Sequence, residues 1–456
     1  MIKKVDYLPQ INAVVLPENK MILKMKDLIF DVLVEKSEPS VVVPDSETPK
    51  GLYFLSNLDQ NIGMVVSTLY CFKAKDKGNE DAARVMKESL ARVLVHYYPL
   101  AGRLRAGSEG KLVVECTAQG ALFVEAQADC AMDDIANHMM DHDPTVRAKL
   151  VYDFYLDKPK SVLDIPLVMA QVTKLNCGGF ILGLTLNHAL LDGVGATAFV
   201  KAWGEVARGL PLKKPPFHDR TLLRARSPPR IEFSHPEFEE MPPLEEEEEE
   251  IERKTFTLDA KSIERLKYKA MEDGFLDRCT SFEVLTAFAW RARTTALRTR
   301  YDDTKPCKLV FPVDGRPRFR PPLPEGYVGN AIVMASCECS EGELAKSPFS
   351  HAVSRVQRAI EGITDSFMRS AIDYYEVTRA RPSMRSVLLV TTWARLSFYQ
   401  TDFGWGDPLH SGPVGFPGKE VVMILANGGE SKMSTTMLVA LPAPAMNRFE
   451  QMLQDI

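Results

Sequence analysis

The sequence predicts an α/β protein of two domains joined by a long crossover. Three observations carry that reading. At 456 residues the chain is too long for one ordinary hydrophobic core. Strand-like and helix-like stretches alternate in both halves. Between the halves the composition turns to prolines and glutamates. The expected bounds are a first domain over 1–210, a crossover over 211–254 and a second domain over 255–456.

Met64–Phe72 is apolar and β-branched, as a strand requires. Asp81–Tyr97 carries Val85, Leu90, Val93 and Leu94 on one helical face, and Tyr98–Gly102 breaks it. Leu112–Val114, Ala121–Val124 and Leu167–Val172 read as short strands. Phe180–Asn187 reads as a buried strand, followed by a glycine-containing turn. Ala196, Phe199, Val200, Trp203, Val206, Ala207 and Leu210 then repeat at helical spacing, with Gly209 suited to the helix end.

Pro211–Lys254 holds proline pairs at 215–216, 228–229 and 242–243, then six glutamates over Glu245–Glu250. That proline density excludes a strand or a long helix. The glutamate run reads as a solvated surface tract with no function assigned to it. Beyond it, Asp259 caps a helix that carries Ile263, Leu266 and Ala270. Thr280 and Glu283 form a capping-box pattern for a helix through Arg298. Strands are expected at Lys308–Val313, Ser386–Thr392, Glu420–Ala426 and Ser434–Leu441, with a last helix from near Pro442. No repeat of solenoid period is present.

A hydrophobic content of 45% and a charged content of 26% fit a soluble globular protein. The net charge of -5 gives no reason to expect nucleic-acid or membrane-surface binding. The basic N-terminus has no apolar stretch behind it, so no signal peptide is read. The longest apolar runs are too short to span a bilayer. The eight scattered cysteines have no zinc spacing and are expected as free thiols in a reducing cytoplasm.

His188 has the strongest claim to chemistry. It closes the strand Phe180–Asn187 and begins His188-Ala-Leu-Leu-Asp192-Gly193-Val-Gly195. A histidine at a strand end can be held rigidly and still face a cavity. Its near-neutral pKa suits removing a proton from a hydroxyl and returning it to a leaving group. Taken alone the spacing is a weak signal, and a hydrogen-bonded core histidine fits it too. Gly193-Val-Gly195-Ala-Thr-Ala198 also matches a dinucleotide-binding fingerprint. There, however, the helix runs into proline-rich chain where a second parallel strand is required. A second segment, Thr401-Asp402-Phe403-Gly404-Trp405-Gly406-Asp407-Pro408, alternates aromatics with glycines and aspartates. Asp402 is a candidate for a buried ion pair, with Phe403 and Trp405 packing at a bend. A fold-stabilising corner and a catalytic role both fit it.

His188-Ala-Leu-Leu-Asp192-Gly193 and Asp402-Phe-Gly-Trp-Gly406, about two hundred residues apart, resemble the paired signatures of the plant BAHD acyl-CoA-dependent acyltransferases. Tyr98-Pro-Leu-Ala-Gly-Arg103 is similar to a further family stretch. The resemblance implies two similar mixed α/β domains, each like chloramphenicol acetyltransferase, flanking a solvent tunnel. It implies that the segment near 381–405 packs with the first domain. By the same resemblance His188 is the general base, and Asp192 is structural, paired with Arg316. Thr391 and Trp393 would stabilise the tetrahedral intermediate, and Asp402 would be structural. Thr280 and Ser281 would line the coenzyme A channel, although a helix cap explains Thr280 equally well. The implied enzyme is a cytoplasmic monomer acting on two small molecules, an acyl-CoA donor and a hydroxyl acceptor. It has no permanently bound cofactor, no metal, no nucleic-acid partner and no membrane span.

Gly51–Asn61, Ser370–Pro382 and Pro321–Gly326 are similar to a narrower subgroup. Its members esterify ω-hydroxy fatty acids or fatty alcohols with hydroxycinnamate, for cutin and suberin. Small polar acids such as shikimate, and polyamines, are the alternative acceptors. Leu191 and Thr185-Leu186-Asn187 depart from the commonest family pattern around the first motif. Val387, Leu388, Leu389 and Phe398 are expected apolar candidates for an acceptor wall, with Arg385 a possible cation. Two rival readings are a hydrolase, disfavoured because no Gly-x-Ser-x-Gly elbow is present, and a non-catalytic binding protein on the same fold.

Overall fold

The computed structural model describes residues 32–456 apart from 75–77, 108–109, 136–143, 153, 155–161, 242–249, 298–302, 383–385 and 428–433. In chain order the first half carries β1 (Val34–Lys36), β2 (Ser40–Val42), β3 (Gly51–Phe54), the short helix α1 (Asn57–Gln60), β4 (Val65–Phe72) and α2 (Ala82–His96). It continues with β5 (Arg103–Ala106), β6 (Leu112–Cys116), β7 (Ala121–Ala128), α3 (Pro144–Lys149), β8 (Val168–Leu175), β9 (Phe180–Asn187) and α4 (Gly193–Ala207). After the crossover come β10 (Ile251–Leu258), α5 (Ala260–Met271), α6 (Ser281–Leu297), β11 (Pro306–Asp314) and β12 (Ile332–Ser340). Next are α7 (Glu341–Lys346), α8 (Phe349–Gly362), α9 (Asp365–Thr378), β13 (Val387–Thr392), β14 (His410–Pro413), β15 (Val421–Ala426), β16 (Thr435–Pro442) and α10 (Ala443–Gln454).

Two large mixed sheets organise the chain. One runs β1-β7-β8-β9-β4-β14, with β2 also on β7; the other runs β10-β16-β15-β13-β11-β12. β9 lies between β8 and β4, antiparallel to both, and all eight of its residues are buried. That interior place explains its continuous apolar run. Asp192 then caps α4, its side chain accepting the Gly195 N–H at 2.9 Å. Phe199, Val200 and Trp203 of α4 are fully buried, and the Trp203 indole donates to Ser89 of α2 at 2.9 Å.

The crossover differs from the expectation in one respect. β10 opens at Ile251, inside the span expected to hold no strand. Its register on β16 runs from Ile251 opposite Pro442 to Leu258 opposite Thr435. The last prolines of the crossover lie upstream, so nothing blocks pairing there. Upstream of that strand the crossover is docked on the second half. Asp373 on α9 accepts from the Arg226 and Arg230 backbone N–H groups, each at 2.8 Å. Buried His235 sits between Glu237 at 2.8 Å and Ser370 at 2.9 Å. Ser370 Oγ also accepts the Glu232 N–H at 2.9 Å, and the residue is fully buried. This Ser–His–Glu set is therefore a clamp rather than an exposed nucleophile. Within the glutamate run, Glu245–Glu249 lies outside the described residues, and Glu250 is exposed.

The stretch 381–405 is divided between the halves instead of packing wholly with the first. β13 is a strand of the second sheet, parallel to β11 and β15. From Trp393 onward the chain turns to the first core, where Phe398, Phe403 and Trp405 are buried among Phe72, Phe180 and Trp203. β14 then pairs antiparallel with β4, His410 opposite Cys71, so the second half supplies an edge strand to the first sheet. No helix among the described residues is long and apolar enough to cross a membrane.

Candidate active site

The end of β9 presents His188. Its backbone N–H donates to the Met64 carbonyl at 2.8 Å. Its carbonyl accepts from the Asn330 side-chain amide at 2.8 Å, and its Nδ1 lies 3.1 Å from Asn330 Oδ1. Burial pushes the imidazole below its usual pKa, against the opposing pull of Asp192. At neutral pH the ring is therefore uncharged, the form that accepts a proton.

Asp192 faces the opposite task. Arg316 grips it with two hydrogen bonds, Nη1 to Oδ2 and Nη2 to Oδ1, both 2.9 Å. The Gly195 and Ala331 N–H groups also donate to it, at 2.9 and 3.0 Å. Burial alone would raise its pKa, but Arg316 and these donors hold it below the usual carboxylate range. With both oxygens so engaged, Asp192 is a buried ionic clamp between the halves. Arg316 completes it by donating to the Gly329 carbonyl at 2.8 Å.

A cavity of about 830 Å³ opens between the halves and is lined by His188, Thr280, Ser281, Thr391 and Trp393. Thr391 is in β13 and Trp393 lies two residues on, just past its end. The Trp393 ring stacks on Phe398 at 5.1 Å between centroids. Among the described residues neither the Trp393 indole N–H nor the Thr391 hydroxyl has a protein hydrogen-bond partner, and both residues line the cavity. Thr280 is the expected cap: its Oγ1 accepts the Glu283 N–H at 3.3 Å, and Glu283 accepts the Thr280 N–H at 2.8 Å. It also lines the cavity.

Arg316 lies behind the cavity rather than in its lining, and Asp402 stands apart from it. Asp402 is not the buried ion pair expected. Its bond to Arg208 spans 3.2 Å with both side chains about a third exposed. Its Oδ1 instead accepts the Gly404 and Gly406 N–H groups, both at 2.7 Å, shaping the bend. Gly204 of α4 sits against this bend, where a Cβ would come within 2.6 Å of the Asp402 carbonyl. Phe403 meets Trp203 edge-on at 5.2 Å, and Trp405 donates to the Gly78 carbonyl at 2.8 Å. The segment is a corner of the first core.

Of the four apolar wall candidates only Phe398 lines the cavity; Val387 and Leu388 are packed in cores, and Leu389 packs beside Met241 and Val310. Arg385 lies outside the described residues. Gly51–Asn61 and Ser370–Pro382 do not line the cavity either. They meet each other, with the Asn57 amide donating to the Ile372 carbonyl and Glu376, both at 2.8 Å. The apolar lining comes instead from Val66, Leu186, Leu191, Ile332, Ile360 and Leu396.

Three residues beside His188 escaped the sequence reading: Asn330, Asp59 and Arg220. Buried Asp59 and Arg220 pair at 3.0 Å, and Asp59 Oδ1 accepts from Asn330. The one local hint was Ser56-Asn57-Leu58-Asp59, a capping-box pattern that does form.

Comparison with known proteins places this geometry in a family. The model of the Transferase family matches residues 32–456. The omega-hydroxypalmitate O-feruloyl transferase of Arabidopsis thaliana is 54% identical over 92% of this chain and 93% of its own length. The fatty alcohol:caffeoyl-CoA acyltransferase of the same plant is 49% identical over 92% of this chain and 98% of its own. Among solved structures, vinorine synthase superposes with a TM-score of 0.69 over 91% of this chain and 96% of its own. At 22% identity that likeness speaks for the fold.

Proposed function

The chain belongs to the Transferase family of BAHD acyl-CoA-dependent acyltransferases, and from that premise we propose its reaction and substrates. It moves a hydroxycinnamoyl group from coenzyme A to the hydroxyl of an ω-hydroxy fatty acid or fatty alcohol. The observation that carries this reading is a cavity that holds His188, kept below its usual pKa by burial, between apolar stretches of wall, with the charged residues Glu283, Asp314, Arg318 and Arg395 also in its lining. The two relatives at about half identity support the choice of donor and acceptor.

His188 takes the acceptor's hydroxyl proton as that oxygen attacks the thioester carbon. A tetrahedral oxyanion results, and the Trp393 indole N–H and Thr391 hydroxyl donate to it. Collapse breaks the carbon–sulfur bond, and His188 returns its proton to the coenzyme A thiolate. Ester and free coenzyme A leave, with no acyl-enzyme formed. Thr280 and Ser281 face the donor. The chain acts as a cytoplasmic monomer.

Two measurements follow. Trp393→Phe and Thr391→Val each remove one oxyanion donor, and each is expected to lower kcat by about a hundred- to a thousand-fold with little change in the KM for donor. Unchanged kcat in both variants removes these residues from the mechanism.

The acceptor test reads the walls. A buried methylene contributes roughly 0.8 kcal/mol, about a fourfold gain in binding. With feruloyl-CoA as donor, kcat/KM should rise with alcohol chain length until the cavity is filled. Equal efficiency on short and long alcohols, or preference for shikimate or spermidine, overturns the acceptor and leaves the family reaction standing.

A further inference from the structure

We propose that Asn330, Asp59 and Arg220 are positioning residues that hold His188 in one tautomer, Nδ1 protonated and Nε2 free for the acceptor's proton. The inference rests on His188 being the general base. It starts from the hydrogens of one amide. The Asn330 side chain donates to the His188 carbonyl at 2.8 Å and to Asp59 Oδ1 at 3.0 Å. Both amide hydrogens are thereby engaged. Turning the amide over would set its oxygen against a carbonyl and a carboxylate, two acceptors. Its orientation is therefore set, and Oδ1 must accept from the neighbour 3.1 Å away, His188 Nδ1. The hydrogen on that nitrogen leaves the lone pair on Nε2. Nε2 has no protein partner among the described residues.

Asp59 is what holds the amide. Its Oδ1 also accepts the Asn330 backbone N–H at 2.8 Å, and its Oδ2 accepts the Ser56 N–H and hydroxyl, both at 2.8 Å. Arg220 neutralises it at 3.0 Å, and both side chains are buried. The same guanidinium donates to the carbonyls of Ala189 at 3.3 Å and Leu190 at 2.5 Å, the two residues that follow His188. Its Nε donates to the Tyr53 hydroxyl at 3.0 Å. Asp59 comes from the first half, Arg220 from the crossover and Asn330 from the second half. The three meet beside the histidine turn.

A buried ion pair is a poor source of stability, and its best-attested use is to specify geometry. Here the geometry has an electrostatic sense. When His188 takes a proton, the amide oxygen faces the developing charge and one of the amide hydrogens faces Asp59. Burial disfavours the charged imidazole; Asp192, the ring's bond to its own backbone carbonyl, Asn330 and, least, Asp59 favour it. The set thus orients the base and eases the charge it acquires.

Heteronuclear NMR on wild-type enzyme carrying isotope-labelled histidine reads the tautomer directly. The His188 resonances, assigned by their loss in His188→Ala, should show a protonated Nδ1 and a bare Nε2 at neutral pH. In Asn330→Ala, where the ring keeps only the bond to its own backbone carbonyl, the Nδ1-protonated share should fall, and kcat should fall about ten- to a hundred-fold with the donor KM within about twofold. Asp59→Asn, or Asp59→Asn/Arg220→Gln should the single variant not fold, should move the acid limb of kcat/KM to lower pH. A wild-type His188 with its hydrogen on Nε2 overturns the inference, as does an Asn330→Ala enzyme with unchanged tautomer and kcat. Turnover retained in His188→Ala is a different result: it removes the base itself, whatever the tautomer.

Discussion

His188→Ala is expected to lower kcat by about a hundred- to ten-thousand-fold, the usual cost of losing a general base, while melting close to the wild type. The fold should survive because the side chain faces the cavity, and its loss leaves only the Asn330 oxygen without a partner. The wild-type pH profile carries the same signature. Burial lowers the pKa of the imidazole, so its base form persists below pH 6.5, the usual value, and the rate should fall only on the acid side of that. A well-folded His188→Ala enzyme turning over near the wild-type rate contradicts the assignment.

The second large effect is on stability. Removing one partner of a buried, hydrogen-bonded ion pair strands the other, at about 3–5 kcal/mol. Asp192→Asn and Arg316→Ala should each lose that order of stability, seen as a fall in melting temperature and in soluble yield. Asp192 has its folded-state pKa depressed, so the pair's contribution is present above about pH 4 and is lost as the pH falls below that. Thermal melts of both variants across pH read this directly. Normal melting with lost turnover would instead make Asp192 part of the chemistry.

What the sequence disclosed follows from which forces act locally. β9 was readable to the residue and α4 to within about a turn at each end, because a buried run and a helical stripe leave periodic patterns. The capping boxes at Thr280 and Ser56 are local too. α8, α9 and β12 went unassigned. So did β14, whose His410-Ser-Gly-Pro413 carries no strand pattern and becomes a strand only because β4 offers an edge. Within the site, His188 and Asp192 stood out through spacing and resemblance. Asn330 and Asp59 are 271 residues apart in sequence, and only the packing of the two halves brings them together. The pairing of Asp192 with Arg316 was drawn from resemblance, and the described geometry has that pair. Gly51–Asn61 and Ser370–Pro382 marked the subgroup but face each other rather than substrate, so likeness of sequence there reports the junction of the halves.

One measurement bears most directly on direct transfer assisted by His188. Enzyme is mixed rapidly with feruloyl-CoA, with and without ω-hydroxypalmitate, and free coenzyme A thiol is followed alongside ester formation. Thiol should appear only when the acceptor is present, mole for mole with ester, and His188→Ala should abolish both together. A burst of thiol stoichiometric with enzyme and without acceptor, or ester formed at the wild-type rate by His188→Ala, would contradict it.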